Sequence, residues 1–368
     1  MNLLALFLVA TAIASRVTAE FTVTSRPTEA ITSSMKNVKF VKQWTLTAAT
    51  TAKTIDSIDL DLVGRVYVSY KSGLPSGVLG YVNVSGDSQT VVDAVTVSND
   101  DADDTDDKDD DDDTKDNTGE LNVRIGSSTL ITLSGYLLTE IILASAGIVT
   151  DVKSQQSAQI VIEEGVLLTN GKTAELQVGA SGSSAVYVSA VGTDVSVSQL
   201  QFDTAGTASL QFNVKSMSVT DEAQFESKGS ARIALLASSV KAAKLELDAE
   251  NTGTICTSAK EVTATTYEGK AATHISMPNA TNKQGSIGLL ACDEAKVPAR
   301  EAACVSSTCD ESSTPGITTG SGATTSIMIT PRTTNNDDNA SDDTSAALTP
   351  QLSAFATTAF VVAMASLL

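Results

Sequence analysis

Apolar and polar positions alternate with period two in short bursts along this chain, and one burst keeps returning. Between Ser157 and Leu247 it reads small residue, Ala, any residue, apolar, any residue, apolar. The copies are Ser157–Ile162, Thr173–Val178, Thr207–Phe212, Ser230–Leu235 and Ala242–Leu247, with a partial copy over Ser184–Val188. They begin 16, 11, 23, 23 and 12 residues apart, so most steps are one or two units of about eleven and a half. Each unit predicts a strand and a small-residue corner. Strands this short cannot bury an apolar face alone, so successive units must stack into one core. The expected fold is all-β: a parallel β-solenoid or β-helix-like body, preceded by a β-hairpin region and followed by a disordered stalk. Its interior should take Ile160, Ile162, Leu176, Val178, Leu210, Phe212, Ile233, Leu235, Leu245 and Leu247.

Ahead of the repeats, Ile58–Leu62 and Val66–Tyr70 alternate on either side of Gly64, which predicts a half-exposed hairpin. Trp44 anchors the first strand, and further strands are expected at Tyr81–Ser85 and Ala94–Ser98. Residues 99–117 then interrupt the pattern. Asp100–Asp116 holds twelve Asp and two Lys, which is half of the formal charge of −20. Lying between two strands, the run predicts a self-repelling, disordered hairpin loop. Weak, multivalent calcium binding at Asp109, Asp110, Asp111, Asp112 and Asp113 is the alternative. Neither the EF-hand nor the glycine-aspartate nonapeptide spacing is present to fix such a site. The acidic balance argues against nucleic acid as a partner. Hydrophobic residues make up 42% of the chain and aromatics 4%, so the core must come from Val, Leu, Ile and Ala.

The order of these parts resembles the autotransporter adhesin head domain family, the GIN domain. Its opening hairpin, exposed Gly-Asp turn, short strand, Leu-x-Val-x-Ile strand and leucine strand closing on Ser-Gly match Ile58–Tyr70, Ser85–Asp87, Val95–Val97, Leu121–Ile125 and Leu130–Gly135. The resemblance covers residues 50–275. It departs from the family in the acidic insertion and in repeat corners that have mostly lost the Gly-Ser-Gly pattern, Gly182–Ser184 being the nearest survivor. What it implies is an all-β, solenoidal body without established catalytic residues.

The flanks give an address. Residues 1–19 read as a secretory signal and 20–49 as a lead-in. All four cysteines fall in the second half, and in a secreted chain they predict disulfides. A local Cys304–Cys309 bridge leaves Cys256 for Cys292, the latter within a cap over 276–310. Sequons stand at Asn83, Asn279 and Asn339. Residues 311–350 read as a Ser/Thr-rich, O-glycosylated stalk. The apolar tail Ala354–Leu368 is too short to span a bilayer and has no basic flank, and it follows the small residues Ser345, Ala346 and Ala347. That layout predicts glycosylphosphatidylinositol (GPI) attachment at Ser345, with Asn339 as second choice and 346–368 removed.

Catalytic patterns are wanting. Glu163 and Glu164 are adjacent in one strand and should face opposite ways, so they cannot straddle a scissile bond. His274 is the sole histidine, outside any nucleophile elbow, and no Cys-x-x-Cys suggests zinc. No cofactor and no enzyme activity are expected. The leading reading is a GPI-anchored, adhesin-like or cell-wall structural protein that binds glycan or protein surface ligands through a solenoid face, with the lipid anchor its only membrane contact. The alternatives are a carbohydrate-active lyase or hydrolase on the same scaffold, and an acidic cation-binding surface protein.

Overall fold

The computed structural model describes residues 21–48, 54–99, 119–126, 133–306 and 309. Strands β1 (Phe21–Ser25) and β2 (Glu29–Ala30) both pair antiparallel with β3 (Phe40–Ala48), where Trp44 is buried. Next come β4 (Ile55–Leu62) and β5 (Arg65–Tyr70). These two do not form the expected hairpin. Each pairs in parallel with other strands, because the corner at Val63–Gly64 passes the chain from one sheet to another. Nor are they half-exposed: Leu60, Leu62, Val66 and Val68 are fully buried, and even Asp59 is only 8% exposed. Gly64 needs to be glycine, since its φ is +80° and a Cβ there would lie 2.9 Å from the Leu137 carbonyl oxygen.

The chain then leaves the coil through β6 (Val78–Gly86), a short helix α1 (Gln89–Asp93) and β7 (Val95–Ser98). Ser88 caps α1, its Oγ accepting from the Val91 amide at 3.3 Å. It returns through β8 (Gly119–Ile125) and β9 (Tyr136–Leu143), which lie parallel to β4 and β5 on their outer side. The later strands thus stack ahead of the earlier ones. β6 closes this end by pairing antiparallel with β3 and β9, and β7 pairs antiparallel with β8. The acidic run therefore joins two antiparallel strands; Asp109 to Asp113 themselves lie outside the described residues.

From here the coils follow in order: β10 (Asp151–Gln156), β11 (Gln159–Glu163), β12 (Asn170–Ala180), β13 (Ala185–Thr204), β14 (Ser209–Ser227), β15 (Arg232–Leu236), β16 (Ser239–Ala249), β17 (Thr254–Thr257), β18 (Glu261–Lys270) and β19 (Ile275–Ser276). One sheet runs through Val66, Ile160, Val186, Leu210, Ile233, Ile255 and Ile275 in parallel register. A second runs through Ile58, Val152, Val178, Phe202, Phe225 and Leu247. A shorter row, Val195–Met217–Val240–Val262, links them. The sequence unit of about eleven and a half residues is thus half a coil, and copies two units apart fall on the same sheet. All ten expected interior residues are buried in one cluster, with Phe202 lying 4.7 Å from both Phe212 and Phe225.

The corner between the second sheet and the first is better preserved than its sequence suggests. Gln156, Gly182, Gly206, Gly229, Asn251 and Ala271 occupy it in successive coils, all at positive φ. From Gly182 to Asn251 each corner hangs from the one before: Ser183, Thr207, Ser230 and Thr252 donate backbone bonds to Gln156, Gly182, Gly206 and Gly229 at 2.7 to 2.9 Å. The loss of the Gly-Ser-Gly pattern is therefore a loss of letters, not of geometry.

Past β19, residues 277–287 fold over the last coil, where Thr281 donates to the Lys260 carbonyl at 3.1 Å. The chain then runs back as a strap across the outside of the first sheet, visiting the coils in reverse. Cys292 is bonded to Cys256; Arg232 donates to the Ala291 carbonyl at 3.0 Å; Gln211 accepts from the Ala295 amide at 2.7 Å and donates to its carbonyl at 3.1 Å. Tyr67 donates to Pro298 and Arg65 to Ala299. Arg300 pairs with Glu163 at 2.6 Å and Glu140 at 3.1 Å, and stacks 4.6 Å from the Tyr67 ring centre. The strap ends as β20 (Ala303–Cys304), antiparallel to β9, beside the Cys304–Cys309 bridge. Beneath it lies a second apolar cluster that includes Tyr67, Leu138, Val161, Tyr187 and Ala302.

Candidate interaction surface

The strap leaves the two large sheets unequal. The first is covered on both faces. The second keeps its outer face open, and the alternation that buries Leu176, Val178, Phe202, Phe225 and Leu247 necessarily turns their polar neighbours outward. Parallel register lines these up in rows. One reads Asp151–Gln177–Gln201–Gln224–Glu246–Glu268; the next reads Asp59–Lys153–Gly179–Asp203–Glu226–Asp248–Lys270. Neither row contains an aromatic or aliphatic side chain. Adjacent members are one strand spacing apart, about 4.8 Å.

Charges on this face are held by neighbours. Lys244 lies 2.8 Å from both Glu222 and Glu246 and 3.8 Å from Glu268, and these bonds push its ammonium well above its ordinary range while drawing the Glu246 carboxyl down. Asp203 shows the opposite shift. Burial raises its carboxyl, and the Gln201 and Gln177 amides, donating at 2.8 and 3.4 Å, only partly offset that. Burial likewise raises Asp59, against the Arg124 guanidinium 3.2 Å away. Glu226, Asp248 and Glu250 bring carboxylate oxygens within 4.8 Å of one another, a grouping that could hold a cation. Lys270 already bonds Asp248, and Lys228 bonds Glu226 at 2.7 Å. The grouping was not anticipated, because Glu226 and Asp248 are 22 residues apart and meet only through coil register.

The predicted site residues fall as follows. Both disulfides form as paired from the sequence, Cys256–Cys292 and Cys304–Cys309. Asn83 is half-buried on β6, its Oδ1 accepting from Gln43 at 2.9 Å, whereas Asn279 is exposed and donates to the Ser258 carbonyl at 3.2 Å. Asn339 and Ser345 lie outside the described residues. Glu163 serves the strap through Arg300, while Glu164 accepts from Thr193 at 2.6 Å. His274 lends its carbonyl to Ile255, and its buried Nδ1 has no hydrogen-bond partner among the described residues, so no acid orients the ring. An interior cavity lined by Leu168, Leu176, Val188 and Phe212 measures about 10 Å³, and a cleft lined by Lys36, Arg65, Tyr136 and Glu301 about 30 Å³. Such spaces suit a water or two, not an acyl chain.

No family model matches the chain, and no curated protein matches it. Among solved structures it is similar to a proposed lipid binding protein of Parabacteroides distasonis, at 11% identity and a TM-score of 0.32, over 64% of this chain and 94% of that one. It is also similar to a proposed adhesin of Bacteroides fragilis, at 10% identity and a TM-score of 0.30, over 67% of this chain and 94% of that one. A proposed adhesin of Parabacteroides merdae gives 12% identity and a TM-score of 0.27, over 62% and 94%.

Proposed function

We propose that this chain is a secreted, adhesin-like surface protein that binds glycan or protein ligands through the open sheet, without catalysis, and is held to the membrane by a GPI lipid. A GIN-type identity for residues 50–275 belongs to the same proposal and rests on the short motifs of the sequence. The observation that carries the binding reading is the inequality of the two sheets. One spends its outer face on the strap; the other presents amides, carboxylates and ammonium groups in rows at fixed spacing. Repeated hydrogen-bonding groups favour many weak contacts with a polar, repetitive partner.

The test is an array of glycans and surface proteins probed with the folded body. Replacing Gln177, Gln201 and Gln224 together by Ala should abolish binding while the fold still melts cooperatively, lower only by the loss of the Gln177 and Gln201 bonds to Asp203. Retained binding, or release of reducing sugar from a bound glycan, would overturn the reading. The anchor is tested separately. Phospholipase C specific for phosphatidylinositol should release the protein from cells, and Ser345→Trp should prevent attachment or shift it to Asn339. Membrane-bound protein that still yields the Phe360–Leu368 peptide would exclude a lipid anchor at Ser345.

A further inference from the structure

The three rows of sheet do not end alike at the last coil. β19 is closed by the strap, where Gly288 donates to the Ile275 carbonyl at 2.9 Å. The linking row is closed by residues 279–284, through Asn279 on Ser258, Thr281 on Lys260 and the Gln284 amide on the Val262 carbonyl at 3.2 Å. Beyond Val262 that cover stops. Over the rest of its length β18 pairs with β16 alone among the described residues, and its register is continuous, without a bulge. Its central residues Val262–Tyr267 are uncharged and rich in β-branched side chains. Leu289, 99% exposed, and Ile287, 64% exposed, stand at the same end. A long, unbulged edge whose central residues carry no charge, at the same end of the stack as exposed aliphatics, is what sheet proteins ordinarily protect from pairing with another chain.

We infer that an N-linked glycan on Asn279 is the cover for this edge. The sequon Asn279–Thr281 lies in the segment that tracks the strand end, and the Asn279 side chain is exposed. Its one hydrogen bond, to Ser258, survives glycosylation, because a substituted amide keeps one N–H. Thr263, where the bare edge begins, is five residues along the chain from Ser258, so the two are at most about 18 Å apart. That is within the sweep of a branched oligosaccharide, a bulky, solubilising group. Asn83, on a strand paired on both sides at the other end of the stack, cannot serve this purpose.

The inference rests on passage through the secretory pathway, and the experiment separates the two. The full chain is produced in N-glycosylating cells and its glycopeptides are read by mass spectrometry. If Asn83, Asn279 and Asn339 are all bare, the secretory reading and this inference both fail. A glycan at Asn83 or Asn339 with Asn279 bare defeats the inference alone. The expected result is a glycan on Asn279, with the protein monomeric by light scattering. Asn279→Gln and Thr281→Ala each remove the sequon, and the second keeps the bond to Ser258. Both should bring concentration-dependent self-association, at least a doubling of mean mass, while the fold still melts cooperatively. Adding Thr265→Lys, which sets a charge on the bare edge, should restore the monomer. Monomeric sequon variants, or association that persists with Thr265→Lys, would overturn the proposal.

Discussion

At the scale of single residues, the left-handed corners make the sharpest claims. Gly206 has φ +76°, and a Cβ there would sit 2.6 Å from the Gly182 carbonyl oxygen. Gly206→Ala should therefore cost the left-handed penalty of about 1–2 kcal/mol plus the clash, measurable as a lower denaturant midpoint. Ala271 holds the same conformation at φ 58° while exposed. Ala271→Gly should relieve that penalty, less the entropy glycine loses, for a net gain of about 0.5–1 kcal/mol. Asp203 gives a pH test. Its carboxyl is raised in the folded state, so folding takes up a proton between the ordinary carboxylate range and the raised value. Stability thus falls as pH climbs through that window and stays reduced above it. Asp203→Asn should melt higher at pH 7, and the advantage should shrink as pH drops toward 4. Glu246, drawn down by Lys244, has the opposite sign: its contribution is present above the ordinary Glu range and fades as pH falls through the lowered value. Six corners share one backbone state, yet only Gly182, Gly206 and Gly229 announce it, because Gln, Asn and Ala at positive φ leave no compositional mark.

Among the elements, the strands were legible and their partners only partly so. Period-two alternation reports that alternate side chains share an environment, not which strand lies alongside. Ile58–Leu62 therefore reads the same in a hairpin as in a coil, and only the corner at Gly64 separates the two. The strap was invisible for a related reason: residues 288–302 contain no strand, and side chains from successive coils hold them in place. Its covalent fastening is testable. Replacing Cys256 and Cys292 by Ser opens a loop of sequence separation 36 and should lower stability by about 4 kcal/mol in the chain-entropy model, with new protease cleavage near Lys296. The antiparallel β7–β8 pair makes a second prediction. Replacing residues 100–118 by Asn-Gly should leave the melting temperature within a degree or two, since closure entropy changes slowly with loop length. A loss of several degrees would show that the acidic run packs against the fold. The open sheet's chemistry was half-legible: each strand's outward polar positions follow from alternation, but the rows need coil lengths that shrink from 26 to 20 residues along Ile160, Val186, Leu210, Ile233, Ile255 and Ile275.

For the whole molecule, the strap decides where force goes. It is fastened to the farthest coils at Cys256 and leaves the described fold at Cys309, beside the first ones. A chain tethered through its C-terminus, as proposed above, is pulled by way of the strap. Tension drawn out at Cys309 acts along the strap's length, so its bonds to Arg65, Tyr67, Gln211 and Arg232 are loaded together in shear rather than peeled one after another. What they do not carry reaches the Cys256–Cys292 bridge at the far end, which is drawn toward the near end. The coils between are then squeezed, as a tie rod squeezes the plates it passes through. Pulling by the C-terminus in a force spectrometer should find a body that resists more strongly with that bridge intact than after reduction, whereas pulling from a tag placed in β18 should find much less difference.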